Sequence, residues 1–152
     1  MLEMIAVIIL IGLISTLGMT TLSGHIDSAR LIRTSNAIAN ADRLEREMCR
    51  QSPIPGELKI EKRKGRMSYK NSMKNVAIAD GVRISEVILG SQDSNRESVL
   101  FSQSGQSATY AVCLTTRRGA INWVVVIGLT GQVLFYNDTD KVRSLLSMGQ
   151  PT

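Results

Sequence analysis

The N-terminal part of the chain contains an uninterrupted apolar segment, and this segment most constrains the fold. From Met4 to Gly24 there is no charged residue, and Ile, Leu and Val dominate the first half. As an α-helix, the segment is long enough to cross about 30 Å of hydrocarbon. A buried core helix would need protein on every side, and a cleaved signal peptide normally has a basic start and a shorter apolar stretch. The segment therefore predicts a membrane-spanning helix.

An acidic residue, Glu3, precedes this segment. A carboxylate at the head of a membrane helix is costly if it is buried without a partner. It can lie at the level of the lipid headgroups, where the helix dipole stabilises it, or it can pair with a positive group on another subunit. The position of Glu3 in the sequence, directly before the apolar segment, favours a location at the level of the headgroups.

Helical periodicity continues from Ile26 to Gln51, with no proline or glycine between them. A single helix from about Glu3 to Arg50 would be about 70 Å long at 1.5 Å per residue. The residues Pro53, Pro55 and Gly56 would end it. Seven residues recur at three- or four-residue steps and predict one buried stripe: Ile26, Ala29, Arg33, Ala37, Ala41, Leu44 and Met48.

The rest of the chain consists of short apolar runs separated by turn residues. Trp123 and Val125 alternate with Val124 and Val126, which predicts a central strand covered on both faces. Short strands with tight turns imply an antiparallel sheet folded against the helix. The predicted strands are Leu58–Lys62, Arg66–Tyr69, Val76–Ile78, Val82–Leu89, Val99–Ser102, Thr109–Thr115, Asn122–Leu129 and Gln132–Tyr136.

The expected fold is α+β, a long N-terminal helix packed on an antiparallel β-sheet domain. Residues 1–24 form the transmembrane half of the helix, residues 25–51 its amphipathic half, and residues 52–152 a β-rich globular domain.

The residues from Leu2 to Ile14, LEMIAVIILIGLI, resemble the class III signal of type IV pilin-like proteins and type II secretion pseudopilins. In that family a peptidase removes a leader, and a glutamate at the fifth mature position precedes an apolar run. Glu3 matches this glutamate, so the resemblance implies that it neutralises the N-terminal amine of a neighbouring subunit. The match does not extend to the family's leader, cleavage-site glycine or N-terminal phenylalanine, so these residues do not indicate cleavage or N-methylation.

Four C-terminal phrases resemble the minor pseudopilin H / FimT-like group. Gln103 and Gln132 stand where that group often has a proline and an arginine. The phrases are Ser98–Phe101 before Gly105, Thr109–Leu114, Trp123–Ile127 and Thr130–Val133. The resemblance implies a pilin-like fold in which the first half of the helix also forms the filament core.

Sequence patterns for catalysis or a cofactor are missing. His25 is the one histidine and has no partner at metal-ligand spacing. Nucleophile elbows and phosphate-binding glycine loops are not found, so no enzymatic activity, metal or cofactor is expected. Acids and bases alternate near the helix end, a pattern typical of a solvated, salt-bridged face: Asp42, Glu45 and Glu47 with Arg43, Arg46 and Arg50.

Two cysteines, Cys49 and Cys113, leave two alternatives open. The external location that the resemblance implies is oxidising and would allow one intramolecular disulfide. Alternatively, both residues are small apolar side chains with free thiols.

A basic segment lies between Glu57 and Asn75, with seven Lys or Arg residues against two acids. Such a run is usually a solvated face, and the net charge of the chain, +5, is modest. Tyr69 is the one aromatic residue among them, so base stacking has little support. The candidate contacts to phosphates or anionic headgroups are Lys59, Lys62, Arg63, Lys64 and Arg66.

The resemblance implies a minor subunit of a type II secretion pseudopilus. Its partners would be other pseudopilin or pilin subunits, the inner membrane and the inner-membrane assembly platform. The alternative is a FimT-like minor pilin of a type IV pilus that binds DNA for uptake. A third class, a single-span anchored receptor domain, would not need Glu3.

The positive-inside rule and the family resemblance imply opposite membrane topologies. Arg30 and Arg33 follow the apolar segment, and the positive-inside rule alone would place the C-terminal domain in the cytoplasm. The resemblance implies a single-pass inner-membrane protein with this domain in the periplasm or outside. We follow the resemblance.

Overall fold

A computed structural model describes residues 2–90 and 98–148, with the side chains of helix residues 4, 5, 7–11 and 24–51 among those described. The chain begins with one 50-residue helix, α1 (Leu2–Gln51), and ends with a short helix, α2 (Thr139–Met148). The strands between them are β1 (Gly56–Glu61), β2 (Arg66–Tyr69), β3 (Asn75–Ala77), β4 (Val82–Leu89), β5 (Ser98–Phe101), β6 (Tyr110–Thr116), β7 (Ile121–Val126) and β8 (Val133–Tyr136). The predicted α+β class, with a long N-terminal helix packed on antiparallel strands, is confirmed.

The continuity of α1 follows from the sequence, since no proline occurs before Pro53. The helix ends at Gln51, where Ser52 accepts a hydrogen bond from the backbone N–H of Ile54 at 3.2 Å. Among the described residues, no helix combines the length and the apolar character that a membrane crossing requires.

The strands form two four-stranded antiparallel sheets instead of the single predicted sheet. The first has the order β3-β2-β1-β5, and the second has the order β4-β6-β7-β8. A single 3-10 turn that ends at Gly65 joins β1 to β2, and these two strands form an antiparallel hairpin. The turn at Asp80-Gly81 separates β3 from β4, and these strands belong to different sheets. Gly81 has a φ of 85°, which lets the chain turn from one sheet into the other.

The second sheet is covered on both faces, as the alternation in β7 predicts. Val124 and Val126 pack toward α1 in the larger core cluster, whereas Trp123 and Val125 pack toward Val142 of α2. The helix α2 was not predicted. The predicted strand also extended too far, because β7 ends at Val126 and Leu129 is 70% exposed.

The face of α1 that contacts the sheets is not the predicted stripe. Ala41 of that stripe is buried, but Ile26, Leu44 and Met48 are exposed. The prediction was wrong because it followed the spacing of mainly apolar residues, whereas the buried face includes several polar and charged side chains. Among the helix residues whose side chains are described, the buried ones are Leu31, Thr34, Ser35, Ile38, Ala41, Asp42, Glu45, Arg46 and Cys49.

We expect Gly128→Ala to destabilise the protein strongly. A Cβ at Gly128 would clash with the carbonyl oxygen of Ser107, and backbone cannot move away as a flexible side chain can. Overpacking of this kind costs roughly 3 kcal/mol of unfolding free energy. The measurement is urea unfolding in detergent, followed by the fluorescence of the buried Trp123.

The matched control is Gly24→Ala, because nothing lies within 4 Å of a Cβ at that helical position. Alanine has the higher helix propensity, so this variant should be as stable as the original chain or slightly more stable. An equal loss of stability in the two variants would contradict the packing argument at Gly128.

Candidate functional site

A buried ion pair connects α1 to the β domain. Arg46 Nε donates to Asp42 Oδ2 at 2.6 Å, and the two residues are 5% and 0% exposed. The remaining guanidinium nitrogens donate to the carbonyl oxygens of Gly105 and Gly128, both at 2.8 Å, and to Ser107 Oγ at 2.9 Å. All three guanidinium nitrogens are therefore bonded, and Arg46 links the helix to two separate loops.

Residues of both sheets complete the surroundings of this pair. Tyr110 of β6 donates its hydroxyl hydrogen to Asp42 Oδ1 at 2.7 Å. The guanidinium carbon of Arg46 lies 5.3 Å from the ring centre of Phe101 in β5, a cation–π distance. Burial raises the pKa of Tyr110 well above its usual value, and the nearby Tyr69 and Asp42 raise it further. The Tyr110 hydroxyl therefore remains protonated and acts as a donor.

A second buried carboxylate, Glu45, fixes the loop between β2 and β3. It is 0% exposed and accepts hydrogen bonds from the backbone N–H groups of Asn71 at 2.9 Å and Ser72 at 2.7 Å. The side-chain amide of Asn71 in turn donates to the carbonyl oxygen of Ile54 at 2.9 Å. We call Asp42, Glu45, Arg46 and Tyr110 the buried polar cluster.

The cluster corrects the prediction of a solvated, salt-bridged helix face. Asp42, Glu45 and Arg46 are buried, whereas Arg43 and Glu47 are exposed as expected. The sequence pattern of alternating charges is the same for the buried and for the exposed charged residues. What differs is that the β domain supplies partners for one side of the helix.

The chemistry of the cluster is structural, because its charged groups are closed to solvent and bonded to each other or to backbone. In the described part of the chain, no group of three or more His, Cys, Asp or Glu side chains could hold a metal ion.

The structure has both cysteine thiols free and buried. Cys49 belongs to the core cluster under α1, and Cys113 to the cluster on the α2 side of the second sheet. They lie on opposite sides of that sheet, so the disulfide alternative is not realised in this structure. Burial, and then the charge of Glu45, raise the pKa of the Cys49 thiol.

The five basic candidates lie together on the β1–β2 hairpin, and all five are exposed: Lys59, Lys62, Arg63, Lys64 and Arg66. Glu61 pairs with Arg66 at 3.1 Å and with Lys64 at 3.4 Å. The Arg66 hydrogen bond is the largest cause that lowers the pKa of Glu61. Within the residues described, Lys59, Lys62 and Arg63 have no ion pair, so the hairpin presents three uncompensated cations to solvent.

The outer face of α1 is open and partly apolar. Ile26, Ile32, Leu44 and Met48 are exposed along its second half, and the described apolar residues between Met4 and Ile11 are exposed as well. The side chain of Glu3, the predicted assembly residue, lies outside the described residues. The open helix face is the surface on which another helix could pack.

The fold is similar to a solved structure, that of the minor pseudopilin EpsH from the Type 2 Secretion System of Vibrio cholerae. The TM-score is 0.52 and the sequence identity is 10%, over 68% of this chain and 93% of that chain. No family model matches the chain, and no curated protein does so either. A likeness at this level of identity shows a common fold.

We expect Arg46→Met to be among the most destabilising substitutions in α1. It would leave the Asp42 carboxylate buried without its cationic partner, which costs about 3–5 kcal/mol of unfolding free energy. The double variant Asp42→Leu with Arg46→Met should lose less, since neither charge of the pair then remains buried without its partner. Urea unfolding of the single and double variants measures both effects.

Arg43→Met is the control, because Arg43 is exposed one turn before Arg46 on the same helix. Its effect on stability should be within about 0.5 kcal/mol of zero. If Arg46→Met costs no more than Arg43→Met, the ion pair does not stabilise the helix–domain contact.

Proposed function

We propose that this chain is a minor subunit of a type II secretion pseudopilus. The observation that carries the proposal is the architecture of α1. Its second half is fixed to the β domain by the buried polar cluster. Its first half continues the same helix, and the apolar side chains described between Met4 and Ile11 are exposed. The likeness of the fold to EpsH supports the same role.

The first half of α1 would serve two successive purposes. Before assembly, the uncharged segment from Met4 to Gly24 would anchor the subunit as a single pass in the inner membrane, with the β domain in the periplasm. After assembly, the same segment would pack among the helices of other pseudopilin subunits and form the core of the filament. Both environments are apolar, so one sequence satisfies both.

The subunit would act by binding and not by catalysis. Its partners would be neighbouring pseudopilins, contacted through the helices, and the assembly platform in the inner membrane. The energy for extraction from the membrane would come from a separate ATPase, since the sequence has no phosphate-binding glycine loop.

The rigid connection between helix and domain suits this role. A force on the first half of α1 is transmitted to the β domain through hydrogen bonds between buried groups of Asp42, Arg46 and Tyr110. Because these groups are closed to water, the connection is weakened little by salt.

A second candidate function, a FimT-like minor pilin that binds DNA for uptake, is favoured by one observation. The uncompensated cations of the β1–β2 hairpin are exposed, and exposed cations can neutralise phosphates. The scarcity of aromatic side chains there, with Tyr69 buried, weighs against it.

We expect Glu3→Leu to insert in the membrane but to fail to enter filaments. Leucine is more apolar than glutamate, so insertion should not suffer, but the carboxylate that would pair with a neighbour's N-terminal amine would be lost. Membrane flotation measures insertion, and cross-linking to neighbouring subunits in cells that carry the secretion system measures assembly. Glu47→Gln, an exposed carboxylate in the second half of α1, is the control. Cross-linking of Glu3→Leu at the original level would show that the pairing role is wrong.

For DNA, we expect weak binding at about 150 mM salt, with little effect of the hairpin cations. The probe is duplex DNA titrated with the full chain in detergent at increasing salt. The test variant carries four substitutions: Lys62→Gln, Arg63→Gln, Lys64→Gln and Arg66→Gln. Micromolar binding whose log–log salt slope, about −0.9 per phosphate contacted, becomes flatter in this variant would favour DNA uptake over secretion.

A further inference from the structure

Three turns of the β domain meet beside α1 at the level of Arg30. The β1–β2 turn contacts the segment before β4, where Ile78 N–H donates to the carbonyl oxygen of Gly65 at 2.9 Å. This segment also meets the β6–β7 turn, where Arg117 N–H donates to the carbonyl oxygen of Gly81 at 3.2 Å. A Cβ at Gly81 would lie 3.3 Å from Nη1 of Arg30. The turns of both sheets are thus brought to one end of the domain.

Basic residues outnumber acidic residues at this end by six to three. Arg118 and Arg30 each approach Asp27 to 3.8 Å, which places the β6–β7 turn against the helix. Within the residues described, Lys62, Arg63 and Arg117 have no ion pair. We call this surface the basic face: Arg30, Lys62, Arg63, Lys64, Arg117 and Arg118, with the acids Asp27, Glu61 and Asp80.

The basic face lies at the end of the domain nearest to the apolar segment. The order of contacts along α1 shows this. The start of β1 at Gly56 lies against Cys49, and the hydroxyl of Tyr69 donates to the carbonyl oxygen of Ile38 at 3.4 Å. The domain therefore follows the helix from Cys49 back toward Asp27, and the uncharged segment ends three residues earlier, at Gly24.

We propose that the basic face binds the anionic phospholipid headgroups of the membrane in which the apolar segment is inserted. The inference rests on the proposed function, since it requires the first half of α1 to enter a membrane. Along the helix, Asp27, which Arg118 approaches, lies about 5 Å from Gly24, and Arg30 lies about 9 Å from it. These distances are comparable with the Debye length of about 8 Å. Lys and Arg side chains at that distance are attracted to anionic lipid surfaces.

Two arguments favour lipid over nucleic acid as the occupant. The inserted helix would hold the face at the membrane surface, so that a weak attraction acts at a high effective concentration. A membrane at that position would also occupy the space that a DNA duplex needs. The consequence is a subunit whose β domain rests on the membrane before assembly and leaves it when the helix is extracted.

The experiment uses the full chain in phosphatidylcholine vesicles with or without phosphatidylglycerol. A fluorophore is attached at Ala120→Cys, in the β6–β7 turn, or at Met73→Cys, an exposed control position at the level of Glu45. Lipids with a spin-labelled headgroup quench fluorophores that approach the surface. We expect phosphatidylglycerol to increase quenching at Ala120 and not at Met73, and added salt to reverse the increase.

Matched variants test whether these particular cations are responsible. Substitution of Lys62, Arg63 and Arg117 by Gln should lower the ratio of surface-bound to free domain roughly ten-fold to hundred-fold. Substitution of Arg43, Lys70 and Lys74, which are exposed elsewhere, removes the same charge and should have little effect. Equal quenching at Ala120 in both kinds of vesicle, or equal effects of the two triple variants, would overturn the proposal.

Failure of the proposed function gives a different result. If the chain does not float with neutral vesicles, the membrane anchor is wrong. Flotation with phosphatidylglycerol vesicles alone, lost in the Lys62, Arg63 and Arg117 variant, would still support the basic face, and no flotation with either would overturn both. Tight binding of duplex DNA by the same residues, with no response to phosphatidylglycerol, would overturn the lipid proposal in favour of nucleic acid.

Discussion

The pair formed by Asp42 and Arg46 is the interaction on which the rest of the structure depends. Transfer of two charges from water into a protein interior costs several kcal/mol for each ion, so such a pair is stable only when further hydrogen bonds complete it. Tyr110 and the carbonyl oxygens of Gly105 and Gly128 complete it here. These partners belong to β6 and to two loops, so one ion pair positions the helix against several parts of the domain.

This arrangement explains why the second half of the helix has one face buried against the sheets and other side chains exposed. The polar contacts of Asp42, Glu45 and Arg46 fix which face of the second half is turned to the sheets. Side chains outside this contact, such as Ile26 and Ile32, remain exposed. A purely apolar contact would specify the rotation of the helix about its axis less strictly, since apolar contacts are not directional. The same orientation is what brings Arg30 beside the turns that carry the other cations of the basic face.

Much of the fold could be predicted from the sequence, because helices and strands leave patterns in residues that are close together in the chain. Uninterrupted helical residues predicted α1, and the alternation of Trp123 with Val124 predicted a central strand with two covered faces. The buried polar cluster could not be predicted, because Asp42 and Arg46 find Tyr110 and Gly128 only after distant parts of the chain fold together. Spacing showed that Asp42 and Arg46 could pair on a helix, but local sequence does not reveal what covers the pair. The division into two sheets also depends on distant partners, since β3 and β4 are neighbours in sequence but pair with different strands.

Amide hydrogen exchange along α1 tests most directly whether the second half of the helix and the β domain form one cooperative unit. If the buried polar cluster joins them, the buried amides from Leu31 to Cys49 should exchange with the same free energy of opening as the central strands β6 and β7. Exchange of these helical amides at a much lower free energy, while β6 and β7 remain protected, would show that the helix separates from an intact domain. That result would contradict the central role of the ion pair between Asp42 and Arg46.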